Sequence, residues 1–162
     1  MKQRIADGFS AVPNEKHRIY WDGIAIWTRL ANQFQQTAKH RAALVSSAYA
    51  YNMCHSCAEF DAARPFESIA DGWMKGGYTN LGLQGKIDYM TRLVQDFDCD
   101  AIMQISRSCK PFFMNEYPVT KEVSRRTGVP YCEVEGDMAD PRLYSEKEIE
   151  SRIDSFLQLI SK

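Results

Sequence analysis

The 162-residue chain is 44% hydrophobic, 12% aromatic and 25% charged, enough for one sizeable core but hardly two, so a single domain over 1–162 is expected. Twenty Lys and Arg against 21 Asp and Glu leave a formal charge of -1 and a pI near 6.3, without the basic excess that a nucleic-acid partner demands. Mean hydropathy is -0.42, apolar runs are short, and MKQRIADGFS lacks the apolar stretch of a signal peptide; a soluble, cytoplasmic chain with no membrane partner is expected. Five cysteines, an odd number, point to reduced thiols.

Residues 1–18 suggest a helical lead-in and a loop with Gly8, Pro13 and Asn14. A first strand, Arg18–Trp21, stops at Asp22-Gly23; Ile26, Trp27, Leu30 and Phe34 then take helical spacing. Ala42–Tyr51 (AALVSSAYAY) has the continuous apolar and small-residue character of a strand buried on both faces. The long stretch NMCHSCAEFDAARPFES follows, and exceeds the usual α/β connection. Helices are predicted over 68–73 and 83–97, the second burying Ile87, Met90, Leu93, Val94 and Phe97.

CDAIMQI (99–105) is the third predicted strand and runs into Ser106-Arg107-Ser108-Cys109-Lys110-Pro111. A helical region over 112–127, interrupted or kinked near Pro118, stops at Gly128-Val129-Pro130. Tyr131–Glu135 forms the fourth strand and Gly136–Arg142 its exit loop. A capping box at Ser145 and Glu148 opens the last helix, with Ile149, Ile153, Phe156 and Ile160 as its buried stripe. Alternating strands and helices predict an α/β fold: a doubly wound, flavodoxin-like or Rossmann-like parallel sheet of four strands, order 2-1-3-4, with helices on both faces. Ligands of such sheets lie at the strands' carboxyl ends, here 22–26, 50–57, 106–110 and 136–142.

Cys109 stands out, because a cysteine between a strand end and a helix start, flanked by Arg107 and Lys110, favours the thiolate that a nucleophile or an iron ligand needs. Cys54-His55-Ser56-Cys57 has redox or metal spacing, and incidental loop thiols fit it equally well. Cys99 and Cys132 read as packing, and His17 and His40 as solvated. Asp22, Asp137 and Asp140 offer acid, base or acceptor groups, with turn and cap chemistry as the plainer role for the last two. Trp21, Trp27, Tyr49 and Tyr51 offer pocket walls or core. No hydrolase elbow, P-loop or dinucleotide fingerprint is present.

Tyr20-Trp21-Asp22-Gly23, R-S-C-K-P (107–111), G-D-M-A-D-P-R (136–142) and the closing helix from Tyr144-Ser145 to Phe156 occur in one order. In these the chain resembles the C-terminal domain of a subunit of the 2-hydroxyacyl-CoA dehydratase and benzoyl-CoA reductase family. The resemblance implies a [4Fe-4S] cluster held by three cysteines, with Cys109 the ligand from this domain and one iron open to the substrate. It implies an acyl-CoA substrate, a related dehydratase subunit and an ATP-dependent activator. One-electron reduction would then let a 2-hydroxyacyl-CoA lose water through a ketyl radical, or an aryl-CoA be reduced. Trp21, Asp22, Arg107, Ser108, Lys110, Asp137 and Asp140 become the candidates for the substrate pocket.

A full subunit of that family carries an N-terminal domain with the other two cluster cysteines, which these 162 residues lack. Three explanations follow: a fragment, a split subunit paired with a separate chain, or ligation by Cys54 and Cys57. The expectation is a component of a lyase that is inactive as this chain alone. The competing functions are a non-catalytic assembly module of the same fold and a thiol redox protein using Cys54 and Cys57.

Overall fold

The computed structural model describes residues 2–50, 60–76, 78–107 and 116–161. Four parallel strands form its sheet: β1 (His17–Asp22), β2 (Ala42–Ser47), β3 (Ala101–Arg107) and β4 (Tyr131–Gly136). They lie in the order β2-β1-β3-β4, as the alternation of elements predicted. Among the described residues the helices are α1 (Lys2–Ala6), α2 (Leu30–Lys39), α3 (Pro65–Gly76), α4 (Leu83–Asp96), α5 (Glu116–Thr127) and α6 (Glu146–Ile160). One further helical turn covers 48–50.

The pleat of β1 and β3 sends alternate residues to two cores. Ile19, Trp21, Ala101, Met103 and Ile105 face one side, where Ile149, Ile153, Phe156 and Leu157 of α6 cover them. Tyr20 and Ile102 face the other, under Ile87, Met90, Leu93 and Val94 of α4 and Val119 and Val123 of α5. Parallel strands buried on both faces need helices on both faces, and the two apolar sets meet that need.

Several expectations from the sequence change. The β2 strand ends at Ser47 rather than Tyr51, because Ser47 Oγ accepts the Ala50 N–H at 3.0 Å and caps a helical turn that begins at Ala48. In α2 the buried side chains are Gln33, Gln36 and Thr37, while Phe34 and the preceding Trp27 are exposed. Its partner explains the reversal: Gln36 Nε2 donates to Asp154 Oδ1 (3.0 Å) and the Glu150 carbonyl (3.2 Å), and Asn32 donates to Glu146 (3.0 Å), so α2 meets α6 through hydrogen bonds.

His40, expected in solvent, joins the same contact with Nε2 2.7 Å from Asp154 Oδ1, and His17 Nε2 lies 3.0 Å from Ser161 Oγ. Ser145 does occupy the N-cap of α6 but its side chain makes no capping hydrogen bond; Glu148 lies 3.9 Å from Arg152 instead, one turn along the helix. Pro118 lies in α5, whose described part runs over Glu116–Thr127; residues 112–115 of the predicted helical region lie outside the described residues.

Candidate functional site at the carboxyl edge of the sheet

From β1 the chain crosses to β2 on one side, and β3 lies on the other with β4 outside it. The reversal of strand order therefore falls between the carboxyl ends of β1 and β3, where doubly wound sheets bind ligands. Asp22 ends β1 there, and its register partner is Gln104 of β3. Both follow the parity of Tyr20 and Ile102 and so face α4 and α5.

Asp22 is 1% exposed and its Oδ2 has no hydrogen-bond partner among the described residues. Gln104 Oε1 beside it is buried and unpartnered too. Burial pushes the Asp22 carboxyl up to about 6, against the opposing pull of the Gly23 N–H and of the Lys86 ammonium. Lys86, only 9% exposed, comes from α4 and places Nζ 5.4 Å above the Tyr78 ring, which lies 5.5 Å from the Tyr89 ring. Tyr20 completes the group; its phenol is held well above the usual range by burial first, then by Asp22, Tyr78 and Tyr89. A carboxyl that titrates near neutrality at a sheet's ligand edge is suited to holding or moving a proton. The strand pattern locates Asp22, whereas Lys86, Tyr78 and Tyr89 carry no sequence signal as its neighbours, because they are brought there by packing across roughly 60 residues of chain.

The segment after β1 straps the other side of this edge. Gly23, at φ +88°, passes so close to β3 that a Cβ would lie 3.2 Å from the Ile105 carbonyl oxygen. Three residues on, Ile26 is fully buried against Gly136, the last residue of β4. Only glycine fits at either crossing without displacement.

The exit loop of β4 uses its two carboxylates for its own shape. Asp137 Oδ1 accepts the N–H groups of Ala139 and Asp140, each at 2.9 Å. Asp140 accepts the Arg142 N–H at 3.0 Å and holds its guanidinium through both oxygens at 2.6 to 3.1 Å, and this hydrogen bonding draws the carboxyl down to about 2. Beyond the loop, a pocket of about 210 Å³ is lined by Glu135, Arg142, Leu143, Ser145, Glu148, Ile149 and Arg152, with its two positive and two negative side chains in balance.

Trp21 faces the α6 core with its indole N–H buried and unpartnered among the described residues. Trp27 and Tyr49, both exposed, meet edge to face at 6.0 Å. Arg107 is the last described residue of β3, which delivers the chain to the edge two residues before Cys109. Ser108, Cys109 and Lys110, like Tyr51, Cys54, His55 and Cys57, lie outside the described residues.

The described cysteines do not fit an iron–sulfur cluster. Burial pushes the Cys99 thiol up to about 12 and the Cys132 thiol up to about 11, so neither offers the thiolate that iron binds. No group of three or more His, Cys, Asp or Glu suited to a metal occurs among the described residues. Cys99 and Cys132 should stay unmodified when the native protein meets iodoacetamide at about pH 8 and react once it is unfolded, as peptide mass mapping would show; labelling of either in the native state would contradict their assignment to packing. Among the described residues no helix is long and apolar enough to cross a membrane.

Comparison with known proteins by sequence covers nearly the whole chain. The family described as 2-hydroxyglutaryl-CoA dehydratase, D-component, matches residues 1–160. A benzoyl-CoA reductase subunit of Thauera aromatica is 25% identical over 171 aligned positions, covering 100% of this chain and 39% of that protein. The alpha subunit of lactoyl-CoA dehydratase from Anaerotignum propionicum is 25% identical over 148 (90% and 34%), and the (R)-2-hydroxyisocaproyl-CoA dehydratase alpha subunit of Clostridioides difficile is 26% identical over 151 (91% and 35%). The chain thus spans little more than a third of the length of the curated relatives it matches. With the doubly wound sheet and the match over residues 1–160 together, the chain belongs to the 2-hydroxyacyl-CoA dehydratase and benzoyl-CoA reductase family.

Proposed function

We propose that the chain is the cluster-bearing component of a cytoplasmic 2-hydroxyacyl-CoA dehydratase, a part of a lyase that works with a related subunit and an ATP-dependent activator. The observation that carries this reading is the family match over residues 1–160, and several of the relatives are dehydratase alpha subunits by name. Cys109 is the residue proposed to hold iron; Cys54 and Cys57, or a second polypeptide, supply the remaining ligands of a [4Fe-4S] cluster. When bound, such a cluster supplies an electron site and a Lewis-acidic iron for a thioester carbonyl.

The chain's own part is positional. Asp22 holds a proton at the ligand edge, Arg107, Ser108 and Lys110 are the residues proposed to supply donors to the acyl-CoA, and Trp21 backs the strand end. Asp137 and Asp140 brace the neighbouring loop. Aryl-CoA reduction is the second reading, supported by the Thauera aromatica relative, whose match takes in the full chain.

The test is iron and acid-labile sulfide per chain after anaerobic reconstitution of the wild type, Cys109→Ser and the double variant Cys54→Ser, Cys57→Ser. The expected result is bound iron in the wild type that Cys109→Ser loses. Loss in the double variant as well assigns three ligands to this chain; retention there assigns the others to a second polypeptide. Equal iron in wild type and Cys109→Ser would remove Cys109 from the site, and a metal-free, stable fold indifferent to that change would favour an assembly module.

A further inference from the structure

The helix α3 (Pro65–Gly76) stands apart from both cores: none of its described residues belongs to either apolar cluster. Phe66, Ile69 and Trp73 fall on one helical face, with Met74 at its margin. They are 84%, 43%, 64% and 70% exposed. Ser68 Oγ donates within the helix to the Pro65 carbonyl at 3.1 Å, and Asn80 Nδ2 donates to the Trp73 carbonyl at 2.8 Å, so a polar bond ties its last turn to the chain that follows while its apolar face points outward.

A helix of 12 residues is marginal in water on propensity alone and normally depends on burying such a face. Gly72 within it lowers that propensity further. The four side chains together leave on the order of 500 Å² uncovered, comparable with the largest apolar patch of a typical monomer and rich in the aromatic residues that anchor interfaces. A stable interface takes roughly 800 Å² from each partner, so two copies of α3 laid against each other would fall short and a larger covering surface is required. The relatives carry further chain from which such a surface can come: they align with 90% to 100% of this chain, yet the match covers only 34% to 39% of each of them.

We propose that the Phe66–Ile69–Trp73 face of α3 docks the part of the family's polypeptide that lies beyond the matched third, supplied as a companion segment or subunit. The inference rests on family membership and not on the iron–sulfur reading, so the two fail separately. Phe66 and Trp73 are the anchors, and a carboxylate placed between them at position 69 would have to be desolvated in the apolar contact.

The experiment is site-specific photo-crosslinking of the full chain in its host cell, with p-benzoylphenylalanine at position 66 or 73, and at the exposed position 35 of α2 as control. Cross-linked peptides are sequenced by mass spectrometry. The expected products from 66 and 73, absent from 35, are peptides of dehydratase-family sequence from outside the matched region. The adduct formed from position 73 is expected to be lost in Ile69→Glu, whose circular dichroism reports that the fold persists. Adducts with a second copy of this chain, with unrelated proteins, or with nothing at all would overturn the proposal. So would an adduct indifferent to Ile69→Glu.

Discussion

Replacing Asp22 by asparagine is expected to stabilise the protein above neutrality and to leave it unchanged near pH 4. The folded carboxyl titrates near 6, raised from 3.8 chiefly by burial, so the folded state binds the proton more tightly than the unfolded chain does. Its favourable contribution is complete below the unfolded value and is lost as pH rises through about 6. A difference of about two pH units corresponds to about 3 kcal/mol, the cost of keeping an ionised carboxylate in a site where Oδ2 finds no donor among the described residues. Asparagine imitates the protonated acid and does not titrate. Urea unfolding of both proteins at about pH 4, 6 and 8 should give curves that coincide at the lowest pH and separate by about 3 kcal/mol at the highest. Parallel pH dependences would mean that Asp22 is ionised without cost, and would remove the proton-holding role proposed for it.

The second large effect is expected at Gly136. A Cβ there would overlap the Cδ1 of Ile26 and press on Ile26 Cγ1 at 3.3 Å and Tyr144 Cδ2 at 3.4 Å. Ile26 is fully buried and cannot swing into solvent, so Gly136→Ala should cost about 1–3 kcal/mol by overpacking. Ile26→Val removes the overlapping methyl and by itself should cost about 0.5–1.5 kcal/mol. Because the two changes act on one contact, the double variant should be more stable than the sum of the singles by about 1 kcal/mol or more. Strict additivity in chemical unfolding would show that the strap and the end of β4 do not bear on each other.

The parts of this molecule that are legible in the sequence are those governed by local period. Ile87, Met90, Leu93 and Val94 recur at helical spacing and are buried as expected, and the strand–helix alternation yields the sheet order. What the pattern misses is polar burial. The apolar spacing of Trp27, Leu30 and Phe34 suggests a core face, yet α2 turns Gln33 and Gln36 inward, Gln36 because its partner α6 offers Asp154 and a carbonyl rather than an apolar groove. Ser46-Ser47 in an otherwise apolar run marked the end of β2, a signal that the cap on Ala50 explains. For the site, the position of Asp22 at a strand end could be read, whereas its isolation from water is a property of α4 and β3 together. The roles of Asp137 and Asp140 in their own loop agree with the turn chemistry of Gly-Asp and Asp-Pro.

The central seam of the sheet also sets the order of events during folding. β1 joins β3 through contacts such as the Arg18 N–H to Asp100 Oδ2 at 2.8 Å, across 82 residues of sequence, and the Asp100 N–H returns the bond to the Arg18 carbonyl at 2.7 Å. Closing a loop of that length is slow and entropically costly before any contact rewards it. On the ribosome β1 and β2 can meet early, but the exposed flank of β1 has no partner until β3 has been synthesised. For that interval an apolar strand edge of the protein is open, and the growing chain is most prone then to pair with the wrong neighbour.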